Sequence, residues 1–108
     1  MKVIGLAGSN SKQSINRQLV HYVLQKLENA ETELLDLNDF EVPLYSPERE
    51  DAHGVPAVIL ELAQKMSSVD LIVISLAEHN GSYSAAFKNT YDWLSRIPNR
   101  KVFDGTKL

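Results

Sequence analysis

The chain alternates short apolar runs with longer stretches in which apolar residues recur every three to four positions. "KVIGLAG" at the start is continuously apolar and ends in glycine and a polar cluster, which predicts a buried strand. From Ser14, the positions Ile15, Leu19, Val20, Val23, Leu24 and Leu27 keep helical spacing, so an amphipathic helix is expected over 14–29. "TELLDL" (32–37) predicts a second strand. Residues 38–56, with three prolines and many charges, read as a long surface loop. Pro56 suits a first helical position, and Val58, Ile59, Leu62, Ala63 and Met66 carry the helix on. "SVDLIVISLA" (68–77) is the most hydrophobic run and predicts a strand buried on both faces. A last helix is expected from Ser84 to Arg96, with Phe87 and Trp93 as core anchors and Pro98 beyond its end.

The order β-α-β-loop-α-β-α predicts a parallel sheet with helices on both faces, a doubly wound three-layer α/β/α arrangement. Ligands in such sheets bind beyond the carboxyl ends of the strands, so the polar loops at 8–14 and 77–83 are expected on one edge. A third strand apolar on both faces calls for a neighbour. The expectation is therefore that residues 1–108 are one domain truncated before its last strands.

At 108 residues and 44% hydrophobic, the chain has the composition of an ordinary globular domain. It has no cysteine, which excludes disulfides, thiolate metal sites and cysteine nucleophiles. No run approaches the ~18 apolar residues of a membrane helix. A soluble cytoplasmic protein with no membrane partner is expected. The net charge of −3 argues against nucleic-acid binding. Residues 1–27 contain Lys2, Lys12, Arg17 and Lys26 but no acid, whereas the rest carries a net −7. An acid-free segment favours an anionic ligand.

Within it, "GSNSKQSIN" (8–16) offers the hydroxyls of Ser9, Ser11 and Ser14, the Asn16 amide and unpaired N–H groups at a helix start, a donor set suited to phosphate. It is neither a Walker loop, a GxGxxG fingerprint nor a nucleophile elbow. In "AEHNGSYSAAFKNTYDW" (77–93), Asn80-Gly81 favours a sharp turn with exposed N–H groups, and His79 offers a flat ring.

These two stretches resemble the motifs G-S-x-R-x-x-S-x-N and P-E-Y-N-G-S-x-P-G-x-L-K-N-A-x-D-W of the flavodoxin-like NAD(P)H-dependent FMN reductases, which include quinone, chromate and azo-dye reductases. The resemblance implies a flavodoxin-like fold, FMN and NAD(P)H as cofactors, a homodimer or homotetramer, and a small-molecule electron acceptor. It assigns Ser9, Ser14 and Asn16 to the FMN phosphate, with Ser11, Lys12 and Ile15 in the same loop. It places the backbone of Ala77, Glu78, His79, Asn80 and Gly81 along the isoalloxazine and ribityl chain. Ser11 replaces the family arginine, with Lys12 beside it. His79 replaces tyrosine and Ala77 replaces proline, while Ser84-Ala85 replaces Pro-Gly, so a looser loop is expected. The implied reaction is hydride transfer from NAD(P)H to the flavin, then two-electron reduction of a quinone, azo compound, metal oxyanion or free flavin. A non-enzymatic FMN electron carrier is the alternative, and a ligand-free interaction domain a third.

Overall fold

Strand β1 (Lys2–Gly8) is the middle of a three-stranded parallel sheet in the computed structural model of the chain, which describes residues 1–9, 15–79, 82–98, 100–103, 105–106 and 108. Of residues 78, 79, 82 and 83 it describes the backbone alone. The sheet order is β2 (Glu31–Leu35), β1, β3 (Leu71–Leu76), with Leu6 paired to both Leu35 and Ile74. Helix α1 (Ile15–Lys26) joins β1 to β2, α2 (Pro47–His53) and α3 (Ala57–Ser67) lie between β2 and β3, and α4 (Ala85–Leu94) follows β3. Two-residue strands β4 (Glu78–His79) and β5 (Ser82–Tyr83) pair antiparallel just before α4.

Among the described residues, helix α1 alone covers one face. Val20 and Leu24 pack on Val3, and the contact is close because β1 carries glycine at its centre. A Cβ on Gly5 would stand 2.4 Å from Val20 Cγ1 and 2.7 Å from Leu24 Cδ1. The other face holds the larger core. Ile4, Leu6 and Ile72 of the sheet meet Ile59, Leu62 and Met66 of α3 and Phe87 and Trp93 of α4. Burying such side chains stabilises the fold by roughly 1.5–3 kcal/mol each. The predicted order of strands and helices is thus found, and Phe87 and Trp93 are core residues. The boundaries are tighter: α1 ends at Lys26, before Asn29 at φ 55°, and Pro56 caps α3 from just outside it.

Two expectations are corrected. β3 is an outer strand of this sheet, so only Ile72 is buried on it and Leu76 is exposed. Residues 38–56 are not one loop. A 3₁₀ turn spans Leu37–Phe40, capped by the Asp36 carboxylate accepting from the Asn38 N–H, and α2 follows. Ser46 caps α2 by accepting from the Arg49 N–H at 3.1 Å, and Pro47 occupies its first turn. Glu48 and Glu50 favour its positive N-terminal end, and Gly54 at φ 71° ends it. The segment is then clamped on α4. Trp93 Nε1 and Asn89 Nδ2 both donate to the Pro43 carbonyl, at 2.9 and 3.1 Å, and Asn89 Oδ1 accepts from the Tyr45 N–H at 2.8 Å. Tyr45 stands edge-on to Trp93, and its hydroxyl donates to Glu50, which also binds Arg96. Burial, reinforced by the bond to Glu50, raises the Tyr45 phenol above its ordinary value of 10.0.

Candidate functional site

In a parallel pair both strands end at the same edge, so the loops that leave them begin side by side. β1 and β3 end in register, Gly8 opposite Leu76. The predicted shared edge is therefore found. Its centre is the Gly8 carbonyl, which accepts from Ser84 Oγ at 2.7 Å and from the Ala77 N–H at 3.4 Å. Ser84 is buried and also accepts from the Phe87 N–H at 3.1 Å, so one hydroxyl caps α4 and ties it to the end of β1. Where the family motif has proline, Ser84 thus makes a buried hydrogen bond; the looser loop expected from that replacement falls on residues 80–81, which lie outside the described residues.

A second tie lies on the opposite face of the sheet. Ser75 Oγ, one residue before the end of β3, donates to Asn16 Oδ1 at 2.6 Å. Asn16 sits in the first turn of α1, half-buried. Ile15, just before it, is 79% exposed. Ser9 is half-buried at the start of the loop. Ser11, Lys12, Ser14, Asn80 and Gly81 lie outside the described residues, as does the ring of His79. Ala77 is buried, and Glu78 and His79 form β4, paired with β5.

The charge reading is corrected in part. Helix α1 runs back along the sheet, so Lys26 in its last turn lies at the edge away from the site. Lys2 lies there too, at the start of β1, where its N–H bonds Asp70. Of the four basic residues in the acid-free segment, only Arg17 is a described residue near the site. It is paired to Asp36 at 3.4 Å. The first turn of α1 contains no acid, so its N-terminal N–H groups face a ligand without a competing carboxylate on that helix. The donor set at this edge (helix start, Asn16 amide, Ser9) fits a phosphate group. Among the described residues no cluster of metal-ligating side chains is found.

A separate crevice of about 250 Å³ opens beside the start of α4, lined by Leu37, Phe40, Val42, Leu44, Ala85 and Ala86. It falls below the roughly 300 Å³ where whole-ligand pockets begin. Sequence reasoning missed Ser75 and Ser84 as site residues. Ser75 did leave a signal, as the one polar residue in the apolar run "LIVISL".

A parallel α/β sheet with helices on both faces, its ligand edge formed by the loops after β1 and β3, defines a flavodoxin-like protein. The chain belongs to the NADPH-dependent FMN reductase family, whose pattern matches residues 1–108. It is similar to the quinone reductase of Escherichia coli (strain K12), 35% identical over 103 residues covering 94% of this chain and 54% of that protein. It is 30% identical to the NAD(P)H:quinone oxidoreductase of Solanum tuberosum, over 92% of this chain and 52% of the other. Among solved structures it resembles FerB, a flavoenzyme NAD(P)H:(acceptor) oxidoreductase from Paracoccus denitrificans, with TM-score 0.70 and 28% identity over 90% of this chain and 52% of that one. The chain spans about half the length of these relatives.

Proposed function

We propose that the protein is an NAD(P)H-dependent FMN oxidoreductase that passes two electrons to a small-molecule acceptor such as a quinone, azo compound, metal oxyanion or free flavin. The observation that carries this reading is the juxtaposition of the acid-free start of α1 with the Gly8 and Leu76 strand ends, in a chain matched by the family over its whole length. FMN, when bound, supplies the redox chemistry: it accepts hydride and yields electrons to the acceptor.

The chain's own residues bind and orient. The α1 start, Ser9, Ser14 and Asn16 hold the phosphate by hydrogen bonds and the helix dipole. Ser11, Lys12 and Ile15 complete that loop. The backbone of residues 77–81, carried by the turn before α4, borders the ring system. Its N–H groups stabilise negative charge there. No side-chain acid or base is required in this scheme. The same reading carries the expectation of a cytoplasmic homodimer or homotetramer, which light scattering on the full-length protein measures.

The test is steady-state oxidation of NADH and NADPH by the full-length, FMN-loaded protein with a quinone added. Multiple turnovers are expected. Tightly bound FMN without turnover would instead make the protein an electron carrier. A protein that retains no FMN after desalting would refute both.

A further inference from the structure

The 43–50 segment contributes to two cavities of opposite character. The crevice beside the start of α4 counts Glu41 and no basic residue among those that line it. The second cavity, of about 290 Å³, lies between α2 and the end of α4 and is lined by Pro43, Arg49, His53, Gly54, Pro56 and Trp93, with no acid among them. Buried Trp93 is its floor and the two prolines are rigid walls. Nothing stands within 4 Å of where a Gly54 side chain would begin, so the mouth is open there.

Arg49 and His53 stand one helical turn apart on α2, both exposed at this mouth. Arg49 is anchored by Nη1 donating to the Leu44 carbonyl, and its guanidinium carries further N–H donors in a planar fork. His53 adds a ring donor. Two acids of the same helix are engaged elsewhere: Glu50 holds Arg96 and Tyr45, and the Asp51 charge also acts on Arg96. An apolar seat beneath a fixed cation suits a flat ring that carries an anionic group. At this volume the cavity takes one end of a long ligand and not the whole. Trp93 follows Ser84, the residue tied to the end of β1, by nine positions, roughly 13 Å of helix. A ligand that reaches from the strand ends to this cavity is therefore extended, with its anion at the far end. NADPH has that form, and its adenosine 2′-phosphate is the group NADH lacks.

We propose that the cavity between α2 and the end of α4 receives the adenosine 2′-phosphate end of NADPH, with Arg49 and His53 bonding the phosphate, and that this pair sets a preference for NADPH over NADH. The inference rests on the NAD(P)H-dependent reading given above.

The experiment titrates adenosine 2′,5′-bisphosphate and 5′-AMP separately into the full-length protein by calorimetry, a readout that requires no turnover. The bisphosphate should bind at least tenfold more tightly. Arg49→Gln should weaken it about tenfold, the worth of one charge-assisted bond, and Arg49→Lys by less, since the charge remains and the fork is lost. Because Arg49 also holds the Leu44 carbonyl, His53→Gln serves as a second variant that touches none of the clamp bonds of Pro43 and Tyr45, and it too should weaken the bisphosphate selectively. In turnover with FMN loaded, the ratio of kcat/KM for NADPH to that for NADH should fall about tenfold in Arg49→Gln. Equal binding of the two nucleotides by the unaltered protein, or a ratio that neither variant moves, overturns the inference and leaves the reductase reading standing. Oxidation of neither NADPH nor NADH by the FMN-loaded protein instead overturns the reductase reading itself.

Discussion

The two faces of the sheet are built very differently. On the face covered by α3 and α4, fourteen buried residues form one cluster; on the face covered by α1, the cluster is Val3, Val20 and Leu24. The thick face includes the 3₁₀ turn and the clamped 43–50 segment. The thin face carries the helix whose first turn is the candidate phosphate site. A region with few buried apolar contacts opens at low free-energy cost. Among the described residues, the larger buried cluster and the candidate phosphate site thus lie on opposite faces. The site's helix depends on individual polar ties, Asn16 to Ser75 and Arg17 to Asp36, in place of a broad core.

Three single substitutions and one double variant break or sharpen that contrast. Ile59→Ala, at a fully buried position of the thick face, should cost ~2–5 kcal/mol through lost burial and a cavity, read as a lower urea midpoint for the full-length protein. Gly5→Ala attacks the thin face by overpacking and should cost ~1–3 kcal/mol, because Val20 cannot turn aside easily. Adding Val20→Ala to it should recover part of that loss. A double variant no better than Gly5→Ala alone would show that the close approach of α1 is not what Gly5 serves. Lys88→Ala removes an exposed pair with Asp92 one helical turn away and should change the midpoint by only ~0.3–0.5 kcal/mol.

Much of this architecture is legible in the sequence, because burial imposes periodicity. Each strand of the three-stranded sheet and each long helix was marked by its apolar spacing, and the register of β1 and β3 brings the two polar loops to one edge as expected, whereas the short strands β4 and β5 were not foreseen. What stayed hidden has separate physical causes. Helix α2 was lost because prolines and charges suggest a loop, although Ser46, Pro47, Glu48 and Gly54 are start and stop signals in the right order. The basic segment misled because a chain that reverses direction sends neighbouring charges to opposite edges, as with Lys2 and Arg17. The family motifs named Asn16, but its partner lies 59 residues away, and that of Gly8 lies 76 away. A hydroxyl carries no periodicity, so only the fold reveals its partner. Within the second motif, Asn89 and Trp93 serve the 43–50 clamp.

The Pro43 carbonyl, filled by Trp93 and Asn89 together, has a practical corollary. Trp93 is the chain's single tryptophan and is 1% exposed, with its indole N–H committed to the seam between α4 and the 43–50 segment. Within these 108 residues, tryptophan emission therefore reports on one place. Undocking of that segment would wet the indole and shift its fluorescence to the red, whereas events on the α1 face would leave its wavelength unmoved. The molecule thus carries a built-in optical marker for the thick side of its sheet.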